Sequence, residues 1–197
     1  MERGVDVNTR GGLFDNALQA ASYNGNYELT KLLLEKGADV NAQGGRFGNT
    51  LQAAAYWAHK ELVKLLLEWG ADVNAPCGEY GSALQAAAYW GHKDLVQLLL
   101  ERGADVNAQG GQYGTALQAA SFTGDGEMVE LLLERGANVN AEASMAVFSR
   151  LLVSVAKRIL SNYCLREVPM SMQKGCYLGN ALQVFLVADT WNLRNCC

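Results

Sequence analysis

A period of 33 residues is the feature that most constrains how this chain can fold. The triplet Asp-Val-Asn begins at positions 6, 39, 72 and 105, and it recurs as Asn-Val-Asn at 138. A second landmark, Ala-Leu-Gln or Thr-Leu-Gln, begins at 17, 50, 83 and 116, and Leu-Leu-Leu-Glu begins at 32, 65, 98 and 131. Landmarks that keep one period predict a repeat array, in which each unit packs only on its neighbours.

Each unit predicts a turn followed by two helices. In the unit that begins at Asp105, a glycine-rich stretch favours tight turns with positive φ. The small apolar residues 116–120 predict a short first helix that can pack closely on its neighbours. Residues 127–134 predict a second helix with one buried face, and Gly136 suits the left-handed position after its end.

The segment 91–108, Gly-His-Lys-Asp-Leu-Val-Gln-Leu-Leu-Leu-Glu-Arg-Gly-Ala-Asp-Val-Asn-Ala, is close to the signature of the ankyrin repeat. Over residues 2–142 the chain resembles ankyrin proteins. The resemblance implies an all-α ankyrin-repeat solenoid, with helix-turn-helix repeats of 33 residues and short turn hairpins. One departure recurs: where the family has Thr-Pro-Leu-His, residues 82–85 read Ser-Ala-Leu-Gln. This exchange removes the proline and histidine that rigidify the start of the first helix in the family.

The turn sequence Gly-Gly-x-Tyr-Gly adds a narrower resemblance. It is similar to the ankyrin tails of fungal receptors that carry NACHT-type ATPase domains. The phosphate-binding motif of such an ATPase, Gly-x-x-x-x-Gly-Lys-Ser/Thr, is not found in this sequence. The resemblance therefore concerns the recognition tail of those receptors and not their ATPase.

The repeat pattern divides the chain into three segments. Residues 1–142 form the array, with four complete helix pairs and a truncated start, because residues 2–8 match the end of a repeat. Residues 143–174 lack the pattern, and residues 175–197 resume it only in part. The middle segment is either an inserted helix or a degenerate repeat that is translated out of frame. Shifted codons permit ankyrin residues in the middle segment and in the tail, which favours the second interpretation. Such peptides are not selected to pack on the array.

Composition argues against several classes of function. The net charge of −4 does not provide the basic stripe of a nucleic-acid-binding protein. The sequence contains no run of 18 or more apolar residues, so we expect no helix that crosses a membrane. The five cysteines form no Cys-x-x-Cys pair, so we expect a reduced intracellular protein, in the cytoplasm.

The sequence contains no pattern typical of a catalytic site. His59 and His92, the only histidines, are one period apart, and the resemblance assigns them a structural role at the start of the second helices. Two such residues supply neither a metal shell nor a base with a nucleophile. We therefore expect no enzyme activity, metal, cofactor or small-molecule substrate.

Aromatic residues recur where the resemblance places the concave, partner-binding face. The candidate contacts for a protein partner are the pairs Tyr23 and Asn24, Tyr56 and Trp57, Tyr89 and Trp90, and Phe122 and Thr123, with the turn aromatics Phe14, Phe47, Tyr80 and Tyr113 nearby. Tyrosine and tryptophan provide large contact areas at low entropy cost. The first aromatic of each pair can instead pack between repeats, whereas we expect Trp57 and Trp90 to be exposed.

These observations predict a non-catalytic scaffold that binds a protein partner on the concave face. Two alternatives remain. The chain could be a recognition tail severed from a signalling ATPase, in which binding has meaning only within the parent protein. It could also be a truncated or frameshifted remnant with no independent function.

Overall fold

The structure, a computed structural model, describes residues 6–76 and 78–141. Within these ranges eight helices form four pairs: α1 (Ala17–Tyr23) with α2 (Tyr27–Glu35), α3 (Thr50–Tyr56) with α4 (Lys60–Glu68), α5 (Ala83–Tyr89) with α6 (Lys93–Glu101), and α7 (Ala116–Thr123) with α8 (Gly126–Glu134). The predicted segments 143–174 and 175–197, with their out-of-frame interpretation, lie outside the described residues, and so do residues 1–5.

A glycine-rich turn connects successive pairs. Between the first and second pairs, β1 (Gln43–Gly44) and β2 (Gly48–Asn49) form a two-stranded antiparallel sheet. In the turn before α7, a single bridge joins Gly110 to Gly114. These connections are the short turn hairpins that the resemblance implies.

A side-chain cap fixes the start of every first helix. Asn16, Asn49, Ser82 and Thr115 each accept a hydrogen bond from the backbone N–H three residues later. An N-cap of this kind contributes about 1 kcal/mol of helix stability. The start of the first helix therefore keeps its order although the proline and histidine of the family pattern are replaced.

The first helices stack side by side and form the centre of the core. Helix α3 contacts α1 and α5, α5 contacts α7, and each first helix also packs on its own second helix. Small residues such as Ala54, Ala87 and Ala120 are fully buried between them. Larger apolar side chains of the second helices, such as Leu66 and Leu99, complete the core. The predicted all-α solenoid of helix pairs is confirmed.

The Asp-Val-Asn landmark has a structural cause. Asn41 donates from Nδ2 to the carbonyl oxygen of Gly70 at 2.9 Å, and its Oδ1 accepts from the Asp72 backbone N–H at 2.8 Å. The same two bonds recur one repeat earlier at Asn8 and later at Asn74 and Asn107. One asparagine per repeat therefore ties each unit to the next.

The first pair exposes a face that the later pairs bury. Leu29 on α2 is 41% exposed, whereas Leu62 at the same position of α4 is 3% exposed. We attribute the difference to the neighbouring repeat: α4 packs against α2, while no described helix pair lies on the outer side of α2.

Candidate functional site

Ten aromatic side chains of the described repeats form one continuous cluster of ring contacts, which we call the aromatic strip. Each ring centroid lies within 6.0 Å of at least one other. Its members are Phe14, Tyr23, Phe47, Tyr56, Trp57, Tyr80, Tyr89, Trp90, Tyr113 and Phe122. The structure thus brings together all the aromatic residues that the sequence analysis selected.

Three of the helix rings, Tyr23, Tyr56 and Tyr89, each contact two turn rings, one from the same repeat and one from the next. Tyr23, at the end of α1, is 4.9 Å from Phe14 of its own repeat and 4.8 Å from Phe47 of the next. Tyr89, at the end of α5, is likewise 5.4 Å from Tyr80 and 4.5 Å from Tyr113. Such aromatic pairs contribute about 0.5–1.5 kcal/mol each beyond their buried area. The strip therefore links neighbouring repeats as well as presenting a surface.

The helix rings pack between repeats and are also partly exposed, so both positions that the sequence left open apply to them. Tyr23, Tyr56, Tyr89 and Phe122 are half-buried, and each contacts a ring of a neighbouring repeat. They pack between repeats and keep part of the ring accessible to solvent. The turn rings Phe47, Tyr80 and Tyr113 are buried, so they support the strip from below.

Trp57 and Trp90 are the most accessible rings of the strip. They are 52% and 42% exposed, as the sequence analysis expects. Each contacts the helix tyrosine of the preceding repeat: Trp57 lies 5.9 Å from Tyr23, and Trp90 lies 4.9 Å from Tyr56. These contacts limit the orientations of both indoles and leave about half of each side chain exposed.

The two polar candidates are placed differently. Asn24 is exposed, and its Nδ2 donates to the Ala20 carbonyl oxygen at 2.9 Å. Thr123 is exposed too, and its Oγ1 donates to the Ala120 carbonyl oxygen at 2.9 Å. Both side chains bond to their own helix, at positions equivalent to those of Trp57 and Trp90.

Sequence reasoning missed the glutamine that holds each turn in place. Gln85 is buried, and its Nε2 donates to the Ala108 carbonyl oxygen at 3.2 Å. Gln52 donates to Gly81 at 3.3 Å, and Gln118 donates to Ala141 at 3.1 Å. The signal was present in the sequence, because a polar residue recurs at a position where the helical pattern predicts burial. These bonds position the turns that carry the buried rings.

Burial in the strip changes the acidity of two tyrosines. Burial raises the pKa of Tyr80 to about 12, although a hydrogen bond from the Trp90 side chain acts in the opposite direction. Burial also raises the pKa of Tyr113, and a hydrogen bond to the Tyr89 side chain adds to the shift. Both hydroxyls therefore stay neutral over the ordinary pH range.

Ion pairs join neighbouring second helices near their first residues. Lys60 Nζ lies 3.9 Å from the Asp94 carboxylate, and Lys93 pairs with Glu127 in the same way. Each lysine therefore contacts the carboxylate of the following repeat. Because these groups are largely exposed, such pairs contribute little to stability.

The two histidines of the described repeats bond to the backbone of the preceding repeat. His59 Nε2 donates to the Tyr23 carbonyl oxygen at 3.1 Å, and His92 donates to Tyr56 at the same distance. Both histidines therefore have the structural role that was expected. Residues 6–76 and 78–141 contain no group of three or more His, Cys, Asp or Glu side chains that could hold a metal ion. The helices of this same part include none that is long and apolar enough to span a bilayer.

The stacked helix pairs and their periodic surface define a helical-repeat solenoid. Two family models match the sequence: "Ankyrin repeats (3 copies)" covers residues 3–77, and "Ankyrin repeats (many copies)" covers residues 84–133. The chain therefore contains ankyrin repeats and folds as an ankyrin-repeat solenoid, a type of domain that generally mediates protein–protein interaction. No curated protein matches the chain.

Proposed function

We propose that this chain is a non-catalytic scaffold that binds a protein partner through the aromatic strip. The observation that carries the proposal is the exposure of Trp57 and Trp90 on a surface of half-buried rings. Exposed tryptophans in such a setting are typical of interface hot spots. Because the supporting rings are already packed, binding orders few further side chains, which lowers its entropic cost.

The predictions of cellular location, of ligands and of a receptor-tail origin are part of this proposal. An intracellular, cytoplasmic location and the absence of a cofactor, nucleic acid or small-molecule substrate agree with a purely interacting protein. The likeness of the glycine-rich turns to NACHT-type receptor tails stays a prediction, because the matched family models describe ankyrin repeats and nothing more specific.

A display library of protein segments tests the proposal. The wild-type chain and the Trp57→Ala/Trp90→Ala variant are used to select binders, and Trp69→Ala provides a matched control. Trp69 is 43% exposed, and it lies after α4, outside the aromatic strip. We expect the double variant to lose the enriched binders at an unchanged circular dichroism spectrum, and the control to keep them.

Two results would contradict the proposal. Equal enrichment by all three proteins would show that binding does not use the strip. A large fall in the melting temperature of the double variant would show that the two tryptophans belong to the core.

A further inference from the structure

Carboxylates beside the aromatic strip indicate what kind of partner fits it. Glu61 follows Trp57 by four residues, and Asp94 follows Trp90 by four. Both carboxylates are exposed, in the first turns of α4 and α6. The same position of the outer two repeats is also acidic, with Glu28 and Glu127. A cation can be attracted by the face of an indole ring and by a carboxylate, and this surface offers both on neighbouring segments.

The lysines of this surface leave room for further cations. Lys64 Nζ lies 2.8 Å from Glu61, and Lys60 lies 3.9 Å from Asp94. An ionised carboxylate has about four acceptor positions, so one ammonium group does not saturate it. The whole chain has 20 Asp and Glu residues against 16 Lys and Arg residues, and this imbalance favours the approach of a basic segment.

The spacing of the rings favours a helical segment. Equivalent rings of neighbouring repeats are 5.9 Å apart for Tyr23 and Tyr56, and 6.0 Å apart for Tyr89 and Phe122. Side chains three or four residues apart on an α-helix have Cβ atoms about 5–6 Å apart. Alternate residues of a strand are about 6.7 Å apart, and a polyproline turn advances about 9.3 Å. At these two interfaces one helical turn therefore matches one repeat best.

The chemistry of the surface favours a helix for a second reason. Apart from the tyrosine hydroxyls, the strip presents ring faces and edges, which accept hydrogen bonds from backbone N–H groups poorly. An extended segment that displaced water from the rings would leave some of its N–H groups without partners, at a cost in affinity. An α-helix satisfies these groups internally.

We infer that the aromatic strip takes an amphipathic basic helix from a protein partner. Its apolar side chains lie against the helix rings Tyr23, Tyr56, Tyr89 and Phe122. Its lysine or arginine side chains lie over Trp57 and Trp90 and reach toward the adjacent carboxylates. This inference rests on the proposed function and adds the class of partner to it.

Four synthetic peptides of about 18 residues, long enough to form a helix, test the inference when they are titrated into the full chain and the heat of binding is measured by calorimetry. The first has leucine and lysine at helical spacing. The second has the same composition in strict alternation, the third is proline-rich with the same charge, and the fourth replaces lysine with glutamate at helical spacing. We expect the first to bind with a Kd at least about tenfold lower than the other three.

The variants locate that binding on the molecule. Trp57→Ala/Trp90→Ala is expected to raise the Kd of the first peptide at least about tenfold, and Glu61→Gln/Asp94→Asn is expected to raise it and to weaken its dependence on salt. Trp69→Ala should leave the Kd within about twofold. If the alternating, proline-rich or acidic peptide binds as tightly as the first, or if none binds, the basic helix is the wrong partner class. The proposed function fails separately, when library selection does not depend on Trp57 and Trp90.

Discussion

Replacing Gln85 with leucine tests whether the buried glutamine holds the turn that carries the aromatic strip. Gln85 is 1% exposed, and its Nε2 donates to the carbonyl oxygens of Ala108 at 3.2 Å and Gly110 at 3.4 Å, with a further bond to Gly114. Leucine fills a similar volume but donates nothing. The cap at Ser82 is unaffected, because it uses the backbone N–H of residue 85.

The cost follows from the groups that lose their donor. A buried carbonyl that is left without a hydrogen bond costs about 1–3 kcal/mol, and the longer bonds contribute less than the best one. Because the turn is only partly buried, water can replace some of the lost bonds. We therefore expect Gln85→Leu to lower the free energy of unfolding by about 2 kcal/mol. This loss corresponds to a fall of about 4–8 °C in Tm for a chain of this size.

Urea denaturation followed by circular dichroism measures the free energy, and hydrogen exchange at Gln112 and Tyr113 reports on the turn itself. Gln97, an exposed glutamine on α6, provides the matched control, and Gln97→Leu should change the free energy of unfolding by less than about 0.5 kcal/mol. Gln85→Leu at wild-type stability, or an equal loss in both variants, would refute the role that we assign to the buried amide.

Two further predictions concern the stability of the array at alkaline pH and the exposed face of its first helix pair. Because the pKa of Tyr80 is about 12 in the folded protein and about 10 in an unfolded chain, its contribution to stability is complete below pH 10 and is lost as the pH rises toward 12; ultraviolet difference spectra at pH 11 should show its phenolate only after unfolding. Leu62→Ala should lower the free energy of unfolding by about 2–5 kcal/mol and Leu29→Ala by about 1 kcal/mol or less, because only Leu62 is covered by a neighbouring repeat. Equal losses in urea denaturation would show that the first pair is covered in solution.

The sequence predicted the fold because the period is a local pattern that one physical rule explains. A helix pair cannot bury its apolar face alone, so identical pairs must stack. Leu66 and Leu99 could be assigned to the core from helical spacing, and Gly136 to a left-handed end, where its φ is +86°. These assignments depend only on residues that are close in the chain.

The arrangement of the strip could be predicted only in part, because it depends on contacts between repeats. The sequence showed that an aromatic residue recurs with the period at the position of Tyr89 and at that of Tyr113. It did not show that Tyr89 contacts both Tyr80 and Tyr113. It likewise gave no direction for the Gln85 amide, whose acceptors are 23, 25 and 29 residues away. Distances of this kind follow from how two units dock, which the pattern within one unit does not determine.

Under the proposed function, stability and recognition use different rings of the same strip. The buried turn rings Phe47, Tyr80 and Tyr113 join neighbouring repeats, so their loss acts on the whole array. Trp57 and Trp90 lie on the outside of this packed layer, and each contacts a tyrosine of the preceding repeat. A partner that contacts both indoles therefore meets surfaces whose orientation the repeat stack has already fixed, and the rigidity of the stack contributes to affinity. It follows that weakening the stack through Gln85 should also weaken binding, although Gln85 is buried and cannot touch the partner.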